Sequence, residues 1–228
     1  HSMQDIYADY EALYAQLAKQ FDVMILASSF PVIQSDGSFR NRANLYGVEG
    51  LIDYQDKLIM TRFENEQWLI HAGQDIKVID TDIGRLAINI CYDSEFPLLG
   101  RALSEADILL VPSCTEALAG YWRVRIGSMA RALENQCITA MSSVVGAADW
   151  SEALGQSFGA GGIFCPPDRG FPPTGILGPR EVNAPGWTIA EADLAQVAEV
   201  RADGIVLNRR DWQDQIGRDG KAINVALR

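Results

Sequence analysis

Residues 86–97, LAINICYDSEFP, place a single cysteine directly after a short apolar run and before an acidic segment. The run at 85–90 has the length and apolar content of a buried strand, and a turn at 82–84 joins it to a second strand at 76–80. Cys91 is therefore expected at the carboxyl end of a central strand. Backbone N–H groups near such a position can stabilise a thiolate, although burial as a packing residue is the usual fate of a free cysteine.

Strands and helices alternate along the chain on both sides of this segment. The predicted elements are a helix at 5–21, a strand at 22–32, a hairpin of strands at 42–48 and 51–55, the strands at 76–80 and 85–90, a helix at 97–105, a strand at 108–111, a helix at 121–135, a strand at 137–144, a hairpin within 159–178 and a closing strand at 186–194. This alternation predicts a layered α/β sheet structure. We expect residues 1–212 to form a single domain and residues 213–228 to form a C-terminal tail.

The composition narrows the class of partner. The 228 residues include 19 Lys and Arg against 30 Asp and Glu, a formal net charge of -11, which argues against a surface for nucleic acid or anionic membrane. No apolar run approaches the length of about 20 residues that a membrane helix needs, and no signal pattern opens the chain. We therefore expect a soluble, cytoplasmic protein whose partners are small molecules or copies of itself.

Metal and cofactor chemistry are not expected. The four cysteines lie 23, 23 and 28 residues apart, so none forms the close pair that zinc sites use. The chain has only two histidines, His1 and His71, which removes most Cys-His and His-metal constructions. A cysteine nucleophile in this chain would need another kind of base.

The segment around Cys91 resembles the nucleophile elbow of the carbon–nitrogen hydrolase (nitrilase) superfamily. The family motif, CYD-x-x-FP, is matched by Cys91, Tyr92, Asp93, Phe96 and Pro97. Downstream, ADILLVPS and RIGSMARALENQCITAMSSVVG are similar to the family's next strand and to its following helix and strand. The resemblance covers about residues 21–212.

Two further residues are similar to the family's active-site groups. Lys57, in DYQDK, lies 34 residues before Cys91 and matches the family lysine, while Glu64 follows it by 7 residues and is the candidate for a further glutamate. Without that context Lys57 would be read as an ordinary surface lysine. The resemblance implies that Cys91 attacks a carbonyl or nitrile carbon and that Lys57 and the N–H of Tyr92 stabilise the oxyanion. Glu64 would move the proton.

The resemblance also implies a fold and an activity. The fold is a four-layer α-β-β-α sandwich that assembles into dimers or larger homo-oligomers through its α faces. The activity is hydrolysis of a nonpeptide carbon–nitrogen bond, an amide through a cysteine acyl-thioester. A nitrile or N-carbamoyl hydrolase, transfer of the acyl group to an amine, and a noncatalytic binding or scaffold protein remain alternatives.

Four residues are candidates for binding the substrate: Tyr92, Asp93, Cys114 and Trp122. Asp93 could instead cap a helix, because Asp is common at such turns. Trp122 could instead pack in the core. Cys114, in PSCTEA, lies near the expected mouth of the site or is a buried filler.

One residue of the family pattern has no match. The family's base is a glutamate in an FPE turn ahead of the first helix, and the Phe30-Pro31 pair here is followed by Val32 and lies after that helix. Glu11 and Glu49 do not have the right context either. We expect that a leading strand–helix unit carrying the glutamate lies outside this numbering, the alternative being that the unit is absent from the molecule.

Overall fold

The computed structural model describes residues 2–150, 155–218, 220, 222–223 and 225. The helices are α1 (Tyr7–Phe21), α2 (Arg62–Glu66), α3 (Pro97–Ala102), α4 (Leu118–Asn135), α5 (Leu194–Asp203) and α6 (Asn208–Asp211). Short 3₁₀ turns span Ser2–Ile6, Cys91–Glu95 and Trp212–Gln215. The strands are β1 (Ile25–Leu26), β2 (Phe30–Ile33), β3 (Phe39–Gly47), β4 (Gly50–Asp56), β5 (Val78–Thr81), β6 (Gly84–Ile88), β7 (Ile108–Ser113), β8 (Ile138–Ser143), β9 (Gly146–Ala147), β10 (Gln156–Ser157), β11 (Gly162–Phe164) and β12 (Ile176–Gly178).

The first sheet is built around the long strand β3. Strands β1 and β2 pair with successive parts of one edge of β3, and β4 pairs with its other edge, all antiparallel. The β3–β4 hairpin brings Arg42 opposite Asp56, so that the chain leaves the sheet directly into Lys57.

The second sheet has the order β12-β11-β8-β7-β6-β5. Its centre, β6-β7-β8, is parallel, and the strands outside it on both sides run antiparallel to their neighbours. Because β6 and β7 are parallel and adjacent, their carboxyl ends meet at the same edge of the sheet. The site described below lies at that edge.

The two sheets stack face to face between two helical layers. Side chains of β3 alternate between the two faces of the sheet: Ala43 and Leu45 pack against Leu86 and Ile88 of β6, whereas Tyr46 packs against Ala18 of α1. On the far side, the other face of the second sheet packs against α4, and α3 lies against α4 in the same layer. The order of layers is therefore α1, first sheet, second sheet, α3 with α4.

Most predicted elements are present, with two differences. The closing strand predicted at 186–194 was wrong: Trp187 and Ile189 are more than four-fifths exposed and no strand forms there. The chain instead enters α5, which Asp193 caps by accepting a hydrogen bond from the N–H of Ala195, and which buries Val197 and Val200.

The strand predicted at 22–32 is divided into β1 and β2, because each pairs with a different part of β3. The tail predicted at 213–228 begins within the last 3₁₀ turn, and its residues 219, 221, 224 and 226–228 lie outside the described ones. In the part of the chain that the structure describes, no helix combines the length and the apolar character needed to cross a membrane.

Candidate active site

Cys91 sits on a tight turn at the end of β6. Its φ is +52°, in the left-handed region that costs a residue other than glycine about 1–2 kcal/mol. The surrounding contacts hold this conformation: the hydroxyl of Ser94 donates to the carbonyl of Cys91 at 2.7 Å, and the carbonyl of Ser94 accepts from Arg131 on α4 at 3.3 Å. Backbone strain retained in this way is common at active sites.

Asp93 ties this turn to the segment that follows β4. Its carboxylate is fully buried and accepts hydrogen bonds from the N–H groups of Ile59 at 2.8 Å, Leu58 at 3.2 Å and Ile90 at 3.3 Å. Burial raises the pKa of Asp93 to about 6, although these N–H groups oppose the increase. Its oxygens are thus occupied by backbone donors, one of which, the N–H of Ile90, is the cap of the 3₁₀ turn that carries Cys91.

Lys57 and Glu64 form a buried ion pair. The ammonium nitrogen of Lys57 lies 2.5 Å from Oε2 of Glu64, and the two side chains are 3% and 10% exposed. Burial alone would raise the pKa of Glu64, but the charge and hydrogen bond of Lys57 and the donors of Thr61 outweigh it and hold that pKa below its ordinary value. Glu64 is therefore ionised and Lys57 has a fixed counter-ion.

Two partners of this ion pair were not predicted. Thr61 and Glu64 form a capping box at the start of α2: the N–H of Thr61 donates to Glu64 at 2.8 Å, and the N–H of Glu64 donates to the hydroxyl of Thr61 at 3.3 Å. The spacing Thr-x-x-Glu in the sequence is the signal for this cap. Asn41 of β3 donates to Glu64 at 3.3 Å and accepts the N–H of Lys57 at 2.8 Å, a contact between segments that no local pattern indicates.

The ion pair acts electrostatically on Cys91. Burial raises the pKa of the Cys91 thiol above its ordinary value; the ammonium of Lys57 lowers it and the carboxylate of Glu64 raises it, with the effect of Lys57 the larger of the two. Burial thus favours the neutral thiol, and the charge of Lys57 favours the anion.

The other candidate residues lie around the elbow or on α4. Cys114 is exposed, its carbonyl accepts the thiol of Cys91 at 3.8 Å, and its own sulfur lies 3.6 Å from the hydroxyl of Ser157. The ring of Tyr92 packs edge-on against Phe96. Trp122 is half-exposed on α4, where its ring contacts Tyr121 and Arg125.

Comparison with known proteins gives related sequences and structures. A model of the carbon–nitrogen hydrolase family matches residues 6–161. "Probable hydrolase YhcX" of Bacillus subtilis (strain 168) is 38% identical over 210 residues, which cover 91% of this chain and 41% of that protein. "Deaminated glutathione amidase" of Yersinia enterocolitica is 30% identical over 147 residues, 58% of this chain and 50% of that protein.

A solved structure shares the fold. A glutamate-to-glutamine mutant of the amidase from Nesterenkonia sp. AN1, in a structure showing covalent addition of the acetamide moiety of fluoroacetamide at the active site cysteine, aligns with a TM-score of 0.71 at 19% identity, over 95% of this chain and 74% of that one. The predicted α-β-β-α sandwich is thereby confirmed. The chain spans half or less of the length of the two curated relatives named above.

Proposed function

Because the chain belongs to the carbon–nitrogen hydrolase family, we propose that it hydrolyses the carbon–nitrogen bond of a small amide, with Cys91 as the nucleophile. The observation that carries this proposal is the buried Lys57–Glu64 pair, whose ammonium acts on a thiol held in a strained turn. A buried Lys–Glu pair is weak evidence for a purely stabilising role, because the desolvation of its charges is costly, and this favours a role for Lys57 in the reaction. The relatives named as amidases support the reaction class.

The steps follow from what each group can do. The sulfur of Cys91 forms a bond to the amide carbon, and the carbonyl electron pair moves onto oxygen, where the ammonium of Lys57 and the N–H of Tyr92 stabilise it. The C–N bond then breaks, and the amine leaves with a proton. Water attacks the resulting acyl-thioester and releases a carboxylic acid and the free thiol, so the net reaction consumes one water.

Glu64 has two tasks in this scheme. It holds Lys57 at the site through the ion pair, and, since the family's base glutamate has no match in this numbering, we assign the movement of protons during thioester formation and hydrolysis to its carboxylate. Its depressed pKa keeps it ionised for this role.

The decisive experiment compares hydrolysis by the protein and two variants across small aliphatic amides, N-carbamoyl amino acids and nitriles. We expect Cys91→Ala to abolish hydrolysis and Lys57→Met to reduce it by at least about 100-fold, because oxyanion stabilisation is lost. Lys77→Met is the matched control, since Lys77 is paired with Asp53 at the surface of the first sheet. Turnover of nitriles in preference to amides would replace the amidase assignment.

Covalent trapping of Cys91 distinguishes a protein that has no activity from an active one whose substrate is missing from the panel. Incubation with fluoroacetamide should add one acetamide group to residues 86–101, and the adduct should be absent in Cys91→Ala. If neither turnover nor adduct is found while the chain is folded, the noncatalytic binding or scaffold alternative holds instead.

We also propose that the chain self-associates through α4. An apolar stripe of exposed side chains runs along this helix at helical spacing, formed by Leu118, Trp122, Ile126 and Leu133. Such a stripe on an outer α layer fits the packing of α faces in homo-oligomers of this family. Sedimentation should show a dimer or larger species that Ile126→Lys dissociates, while Gln16→Lys, an exposed position on α1, leaves it intact. A monomer at micromolar concentration would contradict this.

A further inference from the structure

A second thiol lies next to the nucleophile. Cys114 follows the carboxyl end of β7, and the sulfur of Cys91 is 3.8 Å from its carbonyl oxygen. Electrostatic interaction between the two thiols also contributes to the raised pKa of Cys91. The sulfur of Cys114 takes no part in the proposed hydrolysis.

The elbow and the end of β7 bring the two cysteines side by side. The parallel β6–β7 ladder, with Ile88 opposite Leu110, puts the chain segments that carry Cys91 and Cys114 at the same edge of the sheet. There the chain turns at Cys91, whose sulfur comes within 3.8 Å of the carbonyl oxygen of Cys114. A disulfide requires Cα atoms roughly 4.4–6.8 Å apart, a spacing that two chain segments in such contact can adopt.

The surroundings also favour a reaction between these two sulfurs. Cys114 is exposed and Cys91 is half-buried, whereas Cys137 and Cys165 are buried in separate core clusters at 1% and 2% exposure. The loop that carries Cys114 is anchored on either side: Ser113 pairs with Ser143 in the β7–β8 ladder, and Thr115 exchanges two hydrogen bonds with Phe158. Cys114 is thus held beside the elbow rather than free to move away.

We propose that Cys91 and Cys114 form a reversible disulfide when hydrogen peroxide reaches the site, with Cys114 resolving the oxidised nucleophile. In the first step the thiolate of Cys91 attacks one peroxide oxygen; an S–O bond forms, the O–O bond breaks and hydroxide leaves. In the second step the thiolate of Cys114 attacks the sulfur of Cys91; the S–S bond forms, the S–O bond breaks and hydroxide leaves again.

The balance is complete with peroxide as the two-electron oxidant. Two thiols and one hydrogen peroxide give one disulfide and two waters, the two thiol protons having been taken up by the two hydroxides. A dithiol reductant such as dithiothreitol reverses the change by exchange and restores both thiols. The disulfide masks the nucleophile and at the same time protects it from irreversible oxidation to the sulfinic acid.

Trypsin cleavage makes the disulfide directly visible. Cleavage after Arg85, Arg101 and Arg123 places Cys91 in the peptide 86–101 and Cys114 in the peptide 102–123, while Cys137 and Cys165 share the peptide 132–169. After peroxide treatment, free thiols are blocked with iodoacetamide and the protein is digested without reductant. We expect the peptides 86–101 and 102–123 to be joined, and the intact monomer, weighed before the iodoacetamide step, to lose about 2 Da.

Two variants test whether Cys114 is the residue that resolves oxidised Cys91. In Cys114→Ser, peroxide should instead carry Cys91 to the sulfinic acid, a gain of about 32 Da on the peptide 86–101 that dithiothreitol does not remove. Cys165→Ala, which keeps both reacting thiols, should behave as the parent protein. Each variant is compared with its own untreated sample, so a change in basal activity does not enter.

The proposal is overturned if the parent protein and Cys114→Ser accumulate the sulfinic acid at equal rates, or if Cys114 is found joined only to a second molecule. It is also overturned if neither peptide changes under peroxide that oxidises free cysteine in the same tube. Because every readout is a mass, the experiment gives its answer whether or not the chain hydrolyses an amide.

Discussion

The carboxylate of Asp93 accepts a 2.8 Å hydrogen bond from the backbone N–H of Ile59, so the turn that carries Cys91 is joined to the segment that carries Lys57. The two segments come from different sheets, and this fully buried group links them next to Cys91 and Lys57. The position of Cys91 relative to Lys57 therefore depends on the carboxylate of Asp93.

Asp93→Ala should destabilise the protein strongly. The N–H groups of Leu58, Ile59 and Ile90 would lose a charged acceptor inside the protein, and we expect the free energy of unfolding to fall by about 2–4 kcal/mol in urea titration. Asp80→Ala, at an exposed position on β5, is the control and should change it by less than about 0.5 kcal/mol. If Asp93→Ala unfolds like the parent protein but raises KM, the carboxylate contacts substrate instead.

The charges around Cys91 predict an order of thiol reactivity against pH. Lys57 lowers the pKa of Cys91, and Glu64 raises it by a smaller amount. The pH midpoint of iodoacetamide labelling should therefore be lowest in Glu64→Gln and next lowest in the parent protein. It should be higher in the double variant Lys57→Met with Glu64→Gln, and highest in Lys57→Met alone. In the parent protein it should exceed the midpoint of an ordinary thiol. Labelling is followed on the peptide 86–101, which contains Cys91 as its one cysteine.

The prediction is confirmed only if all four midpoints fall in this order, because a loss of structure could shift the midpoint of a single variant but would not produce the full order. The double variant is the informative one, since it removes both charges and keeps the site neutral overall. Equal midpoints in all four proteins would mean that the ion pair does not act on Cys91, and the catalytic role of Lys57 would have to be abandoned.

Glu64→Gln should also lower stability, by about 3–5 kcal/mol near neutral pH, because it leaves the ammonium of Lys57 buried without its counter-ion. The pH dependence has a definite sign. The pKa of Glu64 is lower in the folded protein than in the unfolded chain, so its contribution is complete above the unfolded value and is lost as the pH falls through the folded one. Urea titrations from pH 7 to pH 3 should show the difference from the parent protein narrowing at the acid end; a constant difference would contradict this.

The central part of the fold could be predicted from sequence because its signals are local. The apolar runs that became β6 and β7, with a helix after each, fix the parallel ladder and place Cys91 at its edge. The strand predicted at 186–194 failed because alternating apolar residues indicate a strand only if a partner strand is available, and Trp187 and Ile189 have solvent instead. The cap at Asp193 was a readable signal for α5 that periodicity alone did not use.

The site was less predictable, because its geometry depends on contacts between distant segments. Lys57 and Glu64 were identified through a family resemblance, whereas the hydrogen bond from Asn41 joins β3 to Glu64 on α2, 23 residues away, and has no local pattern. The buried carboxylate of Asp93 shows the same limit. Its residue type favours a cap, and only the structure shows that its oxygens also accept hydrogen bonds from Leu58 and Ile59 of a distant segment.

A substitution at Gly127 tests whether close contact between α4 and the turn that carries Cys91 is needed to hold that turn. A Cβ at this position would lie 2.7 Å from the carbonyl oxygen of Ser94, whose hydroxyl in turn holds the carbonyl of Cys91. Alanine is favoured over glycine in a helix by about 1 kcal/mol, but forcing an atom against a fixed backbone carbonyl costs about 1–3 kcal/mol, so a net loss is expected for Gly127→Ala. The displaced turn should also slow labelling of Cys91, whereas Ala12→Ser, at an exposed position of α1, should alter neither quantity. A more stable Gly127→Ala protein with unchanged labelling would mean that α4 does not press on the elbow and that the left-handed conformation of Cys91 is maintained by Asp93 and Ser94 alone.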